Sequence, residues 1–97
     1  MEIKHYESSR NGSFELKDNG EAVAEITYRK SSDSCIMVDH TGVNIAYRGQ
    51  KLGEKLVAEV VDFARRENLK VTPICSYAKA IMERKADYCD VLLKDKN

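Results

Sequence analysis

Two periodicities divide the chain. Up to Val43 the apolar positions tend to recur every second residue, and from Leu52 onward they recur at helical spacing. In "SFELKD" (13–18), Phe14 and Leu16 alternate with polar neighbours. The Asn19-Gly20 that follows is a strong hairpin signal, because both residues tolerate the positive φ of a two-residue turn. The return stretch "EAVAEITYRK" (21–30) places Ala22, Ala24, Ile26 and Tyr28 on one face. "SSDS" (31–34) reads as a second turn, and "CIMVDHTGV" (35–43) as a third strand with Ile36, Val38 and His40 on its apolar face. Together these pieces predict an antiparallel meander.

Between Gln50 and Glu67, Leu52, Leu56, Val57, Val60, Phe63 and Ala64 share one side of a helix. Lys51, Lys55, Glu59, Asp62 and Arg66 fall largely outside that stripe, with Asp62 and Arg66 at a favourable spacing of four. Asn68 suits a left-handed stop. "LKVTPIC" (69–75) predicts a short buried strand and "SYAKAIMERK" (76–85) a second helix, while "ADYCDVLLKDKN" is ambiguous. The expected order is β-β-β-α-β-α, an α/β domain with a mixed sheet.

Composition narrows the class. Ninety-seven residues suit a single domain, 1–97, with one modest core. With 42% hydrophobic and 33% charged residues, the chain reads as soluble and folded, not disordered. Sixteen basic side chains balance sixteen acidic ones, which argues against nucleic acid as a partner. No apolar run is long enough to span a bilayer and "MEIKHYESSR" has no apolar signal region, so no membrane partner is expected. Cys35, Cys75 and Cys89 are odd in number and widely spaced. They suggest neither a disulfide framework nor a zinc site, and the expectation is a reduced, cytoplasmic chain without a metal.

The candidate chemistry begins at "RGQKLG" (48–53), between the third strand and the long helix. A helix N-terminus leaves backbone N–H groups unpaired and carries partial positive charge, so a glycine loop there can cradle a phosphate. Neither nucleotide motif fits: the glycine spacing is wrong for a dinucleotide fingerprint, and Gly53 is followed by Glu54 instead of Lys-Ser/Thr. On spacing alone, a cradle and a plain turn before a basic helix remain equally open.

The segment "VNIAYRGQKLGEKLVAEVVDFAR" resembles the signature of the GNAT N-acetyltransferase superfamily, Arg/Gln-x-x-Gly-x-Gly/Ala. More narrowly, "DHTGV", "YRGQKLGEKLV" and "ICSYA" together resemble a minimal, single-domain branch in which "HT" pairs with the arginine-glycine loop and "CSY" follows the next strand. The resemblance covers roughly residues 3–92. It implies a GNAT-like mixed sheet, an antiparallel N-terminal meander followed by β-α-β-α, with the central parallel strands splayed apart. It also implies that Arg48, Gly49, Gln50, Lys51, Leu52 and Gly53 bind the pyrophosphate of acetyl-CoA, and that backbone groups of Thr41, Gly42 and Val43 meet the pantetheine arm. Lys51 stands where a middle glycine is usual; its N–H would serve unchanged if the position has helical dihedrals, since only positive φ needs glycine.

In that frame Pro73, which cannot donate to a ladder, either marks the gap between splayed strands or ends an edge strand. Cys75 sits at the strand end before a helix that Ser76 could cap. It is either a small buried hydrophobe or a thiol activated by the helix N-terminus, able to take the acetyl group or to line its pocket. His40 is either a satisfied core histidine or the base for an incoming amine. Tyr77 is a core tyrosine or a substitute for the tyrosine acid of larger relatives, whose position Met82 takes here. Lys79 is either solvated or directed at the coenzyme phosphates, and the resemblance counts Ser76 and Tyr77 with it among the coenzyme-binding residues. Cys35 and Cys89 read as packing residues.

The leading functional expectation is acetyl transfer from acetyl-CoA to an amine on a small molecule or peptide, by a monomer or weak homodimer. The alternative is a module that binds coenzyme A or an acyl-CoA with little or no transfer. A third reading makes the loop a turn and the protein a small interaction domain.

Overall fold

The computed structural model of the protein describes residues 1–93. The last four residues of the ambiguous tail lie outside the described residues. The elements run β1 (Glu2–Glu7), β2 (Asn11–Asp18), β3 (Glu21–Ser32), β4 (Cys35–Val43), α1 (Leu52–Glu67), β5 (Lys70–Pro73) and α2 (Ser76–Arg84), with short 3-10 turns at Ile45–Tyr47 and Ala86–Tyr88. One five-stranded sheet has the order β1-β2-β3-β4-β5. The first four strands pair antiparallel, and β4 with β5 is parallel. The mixed α/β class is as expected, with one strand more than the periodicity revealed.

That strand is β1. It pairs with β2 from Glu2↔Lys17 to Glu7↔Gly12, and its inward position is held by a histidine, which carries no apolar signal. His5 stacks on Phe14 at 4.0 Å between centroids, meets Phe63 edge-on at 4.8 Å, and its Nε2 lies 2.7 Å from the Tyr28 hydroxyl.

The predicted hairpin turn is present: Asn19 and Gly20 have φ of 53° and 83°. Two bulges then break the alternation read from the sequence. Leu16 pairs with Ala24 but Lys17 with Ala22, so Val23 turns inward and is buried while Ala22 is exposed. In β4, Val38 pairs with Tyr28 but His40 with Thr27, leaving Asp39 as the extra residue. Directly paired residues share a face, so the bulge puts His40 with Thr27, away from Ile26 and Tyr28. The placement of His40 on the apolar face is therefore corrected: it is exposed.

The core joins the inward residues of β2, β3 and β4 to Leu56, Val57, Val60, Val61, Phe63 and Ala64 of α1 and Ala78, Ile81 and Met82 of α2. Burying a Leu, Val or Phe side chain is worth about 1.5–3 kcal/mol, so this stripe fixes α1 against the sheet. Its C-terminus is closed as predicted: Asn68 is left-handed (φ 56°), and the N–H groups of Asn68 and Leu69 reach back to the carbonyls of Arg65 and Ala64.

The parallel pair is short. It runs from Cys35↔Lys70 to Val38↔Pro73, after which Ile74 and Cys75 both donate to the Val38 carbonyl and the chain turns into α2. β4 continues to Val43 paired with β3 alone. Pairing thus ends at Pro73, the last residue of the sheet's last strand, so both sequence readings hold in part. Lys70 and Ile74 donate toward β4 and Val71 donates to Val91 on the other side. By alternation the donor that Pro73 lacks belongs to the outer side, where its absence breaks no bond to β4.

The tail packs instead of forming a full element. Val91 and Leu92 are buried, Leu92 bridges Val71, and Arg65 donates from Nε and Nη2 to the two Asp90 carboxylate oxygens at 2.8 and 2.9 Å.

Candidate functional site

The loop after β4 is anchored at its leading end. Asn44 donates its N–H to Val23 and accepts from the Ala46 N–H through Oδ1 at 2.9 Å, which starts the 3-10 turn. Tyr47 closes that turn and donates its hydroxyl to Asp18 Oδ2 at 2.7 Å. Arg48 is extended, Gly49 has φ +90°, and Lys51 is left-handed at φ 60°, ψ 32°. Helical dihedrals at Lys51 are thus not found. A side chain held left-handed costs about 1–2 kcal/mol, so the loop carries strain where a glycine would carry none.

The two ends of α1 differ. No side chain caps the N-terminus, and the first helical bond is from Lys55 N–H to the Lys51 carbonyl at 3.1 Å. The N–H groups of Leu52, Gly53 and Glu54 precede that bond. They belong to residues that line a cavity of about 570 Å³, together with Thr41, Gly42, Val43, Tyr47, Arg48, Gly49, Lys51 and Tyr77. One wall is therefore the stretch of β4 that β5 has left, and the other is the open end of a helix dipole. Arg48 and Lys51 bring positive charge to it. The Glu54 carboxylate, also in the lining, is offset by Arg84 at 3.7 Å and Lys85 at 3.8 Å.

The two loop glycines do different jobs. At Gly49 an added Cβ would meet nothing within 4 Å, but φ +90° disfavours any side chain. At Gly53 an added Cβ would overlap the ring and hydroxyl of Tyr77. The missing side chain there serves the approach of α2 to α1, with Tyr77 as a cavity wall.

Cys75, not Ser76, is the N-cap residue of α2, and no side-chain hydrogen bond closes that cap. Its sulfur is half-buried and lies 3.7 Å from Thr41 Oγ1, across the opening between β5 and β4. Burial pushes the thiol up, but the Ala78 amide, the Thr41 hydroxyl, and the Tyr77 and Thr41 amides together bring it below its ordinary value. Cys75 is not in the cavity lining itself; it stands behind Thr41, which is.

Of the residues singled out in the sequence, Thr41, Gly42, Val43, Arg48, Gly49, Lys51, Leu52, Gly53 and Tyr77 meet around this cavity. Gln50 and Ser76 are exposed and outside its lining. Lys79 faces a separate recess with Thr72, Met82 and Cys89. The exposed His40 lies over the outer side of Gly42, where an added Cβ would come 3.0 Å from Nε2. Tyr47 and Glu54 were not anticipated. Tyr47 directly precedes the arginine-glycine pair, and Glu54 is the first-turn acid a helix dipole favours, yet both signals are common to ordinary helices. Among the described residues no group of His, Cys, Asp or Glu is placed to hold a metal, and no helix is long and apolar enough to cross a membrane.

A mixed sheet with a short parallel pair that parts beside an uncapped helix defines an α/β fold with a groove between strands. The profile of the GCN5-related N-acetyltransferase family matches residues 13–91, and the chain belongs to that family. None of the curated proteins matches it. Among solved structures, a GCN5-like protein from Staphylococcus aureus is 40% identical, with a TM-score of 0.76 over 99% of this chain and 91% of that one. A ribosomal-protein-alanine N-acetyltransferase from Brucella melitensis is 15% identical with a TM-score of 0.70, covering 93% of this chain and 67% of its own. A GNAT family acetyltransferase from Elizabethkingia anophelis, solved with acetyl-CoA bound, is 14% identical with a TM-score of 0.64, covering 78% and 52%. The last two share the fold.

Proposed function

We propose that this chain takes an acetyl group from acetyl-CoA and delivers it to an amine, with Cys75 as the first acceptor. The observation that carries this reading is the contrast within α1: a C-terminus capped by the N–H groups of Asn68 and Leu69, and an N-terminus left uncapped where it opens into the cavity. Amides without helical partners, beside Arg48 and Lys51, suit a pyrophosphate. The backbone of Thr41 to Val43, free on its β5 side, suits the amide-bearing arm that follows it.

Acetyl-CoA would supply an activated thioester. The Cys75 thiolate, favoured by the α2 amides and Thr41, attacks the carbonyl carbon; an Sγ–C bond forms, the coenzyme C–S bond breaks, and coenzyme A leaves as a thiolate that takes a proton from water. An amine then attacks acetyl-Cys75, the new N–C bond replacing Sγ–C. The ammonium proton passes to water, and the Cys75 thiolate is restored; His40 is exposed on the face of β4 opposite Thr41, away from the Cys75 sulfur. The acceptor class is a small-molecule or peptide amine.

A second reading, coenzyme A binding with little transfer, is favoured by the placement of both Cys75 and His40 outside the cavity lining. Intact mass after incubation with acetyl-CoA separates the two. The transfer reading predicts one added acetyl group, mapped to Cys75 and released by hydroxylamine as a thioester is. Cys75→Ser should abolish it, and Cys35→Ser and Cys89→Ser should not. Full amine acetylation by Cys75→Ala would eliminate the cysteine step. A coenzyme-dependent rise in Tm without any adduct or amine acetylation would favour the binding module.

A further inference from the structure

The cavity has a wall whose orientation is set from outside it. Tyr47 lines the cavity, packs partly against the core, and sends its hydroxyl away from the opening to Asp18, the last residue of β2. Asp18 precedes the tight Asn19-Gly20 turn, so its carboxylate is carried by a well-paired hairpin. The loop that Tyr47 leads into has few supports of its own. Arg48 makes a long contact to the Ile45 carbonyl at 3.3 Å, and among the described residues no backbone hydrogen bond holds Gly49 or Gln50. The next fixed point is the Lys51 carbonyl, which accepts from Lys55.

A phenol donating to a carboxylate is a short, charge-assisted bond, stronger than a neutral one and directional. It ties the strained stretch 48–51 to the hairpin, two elements 29 residues apart. Asp18 does not touch the cavity, so any influence it has on a ligand passes through Tyr47.

We infer that Asp18 is a positioning residue for coenzyme binding: through Tyr47 it fixes one wall of the cavity and the leading end of the amide-bearing loop. This rests on the coenzyme reading of the cavity. The bond to Asp18, with burial and the charges of Asp18 and Glu21 adding to it, also holds the Tyr47 phenol above its ordinary pKa, which provides a reporter of the contact.

Coenzyme A titration and amide hydrogen exchange on the same variants test the inference. Asp18→Ala should raise the coenzyme A Kd about five- to tenfold, the scale expected when one charged hydrogen bond no longer preorganises a site. It should also speed exchange at Gly49 and Gln50 in the ligand-free protein and return the Tyr47 phenol toward its ordinary pKa. Asp18→Asn keeps an acceptor oxygen and should restore affinity and slow exchange. Tyr47→Phe should match Asp18→Ala, and the double variant should add nothing further. Asp33→Ala, which removes an exposed carboxylate from the β3–β4 turn, should change none of these. Additive effects, or an Asp18→Asn variant as weak as Asp18→Ala, would overturn the inference. If the unmodified protein fails to bind coenzyme A, the functional reading of the cavity falls. Exchange at Gly49 and Gln50 then still decides whether Asp18 fixes the loop, and unchanged exchange in Asp18→Ala would refute it.

Discussion

Single residues carry the clearest departures from what the pattern suggests. Lys51 occupies a left-handed conformation that L side chains avoid, at the point where the backbone must turn into α1. Its cation would face the proposed phosphate, which gives a reason for the strain to persist. Lys51→Gly should therefore raise Tm by a few degrees, as about 1 kcal/mol of backbone strain is relieved, and scanning calorimetry would measure it. A lower Tm would mean that the lysine side chain stabilises the fold in a way its exposure does not suggest. The same residue shows the limit of reading a motif: "RGQKLG" marks where the loop enters α1, but φ at its fourth position is set by the path of the loop. His40 is the parallel case. Alternation gave it to the core, and one extra residue at Asp39 moved it to the other face. A bulge has no compositional signature here, so the period of two carries past it unbroken.

Among the elements, those with an apolar period or a turn signal were legible, the short β5 included, and the polar β1 was not. The helical stripe of α1, its Asn68 stop and the Asn19-Gly20 hairpin follow directly from spacing and turn chemistry. β1 did not, because Ile3 and His5 supply its inward face and a histidine reads as polar. The packing of His5 between Phe14 and Phe63 makes that strand sensitive to pH. Partial desolvation against Phe14 and Phe63 lowers the imidazole pKa of this largely exposed residue from its ordinary value, Glu7 opposes this, and Arg66 adds to it. The fold therefore prefers the neutral ring. Its stabilisation is complete above the unfolded-state value of about 6.5 and is lost as pH falls through the lower folded value. Thermal melts should show Tm declining in mild acid, with His5→Gln flattening that part of the profile. An identical acid decline in His5→Gln would assign the effect to other groups. The tail was ambiguous because its apolar residues are too few for a period; burial of Val91 and Leu92 and the bridge to Val71 place its described part, and the exposed Arg65–Asp90 pair adds to them.

For the whole molecule, the sheet and its two helices form one core, and the cavity lies where β5 turns away from β4 beside α1. Formal charge is balanced overall, yet Arg48 and Lys51 concentrate positive charge at that opening, so net charge alone said nothing about the ligand. We propose that the uncapped start of α1 and the freed stretch of β4 hold coenzyme A together. Titrating coenzyme A into labelled protein while following backbone amide resonances tests it most directly. The largest shifts are expected at Gly49 and Leu52 to Glu54, with a second group at Thr41 to Val43. Little change at the Asn68 end of α1 should accompany them. Shifts concentrated around Thr72, Lys79 and Cys89 with the α1 start silent, or no shifts at millimolar coenzyme, would contradict it.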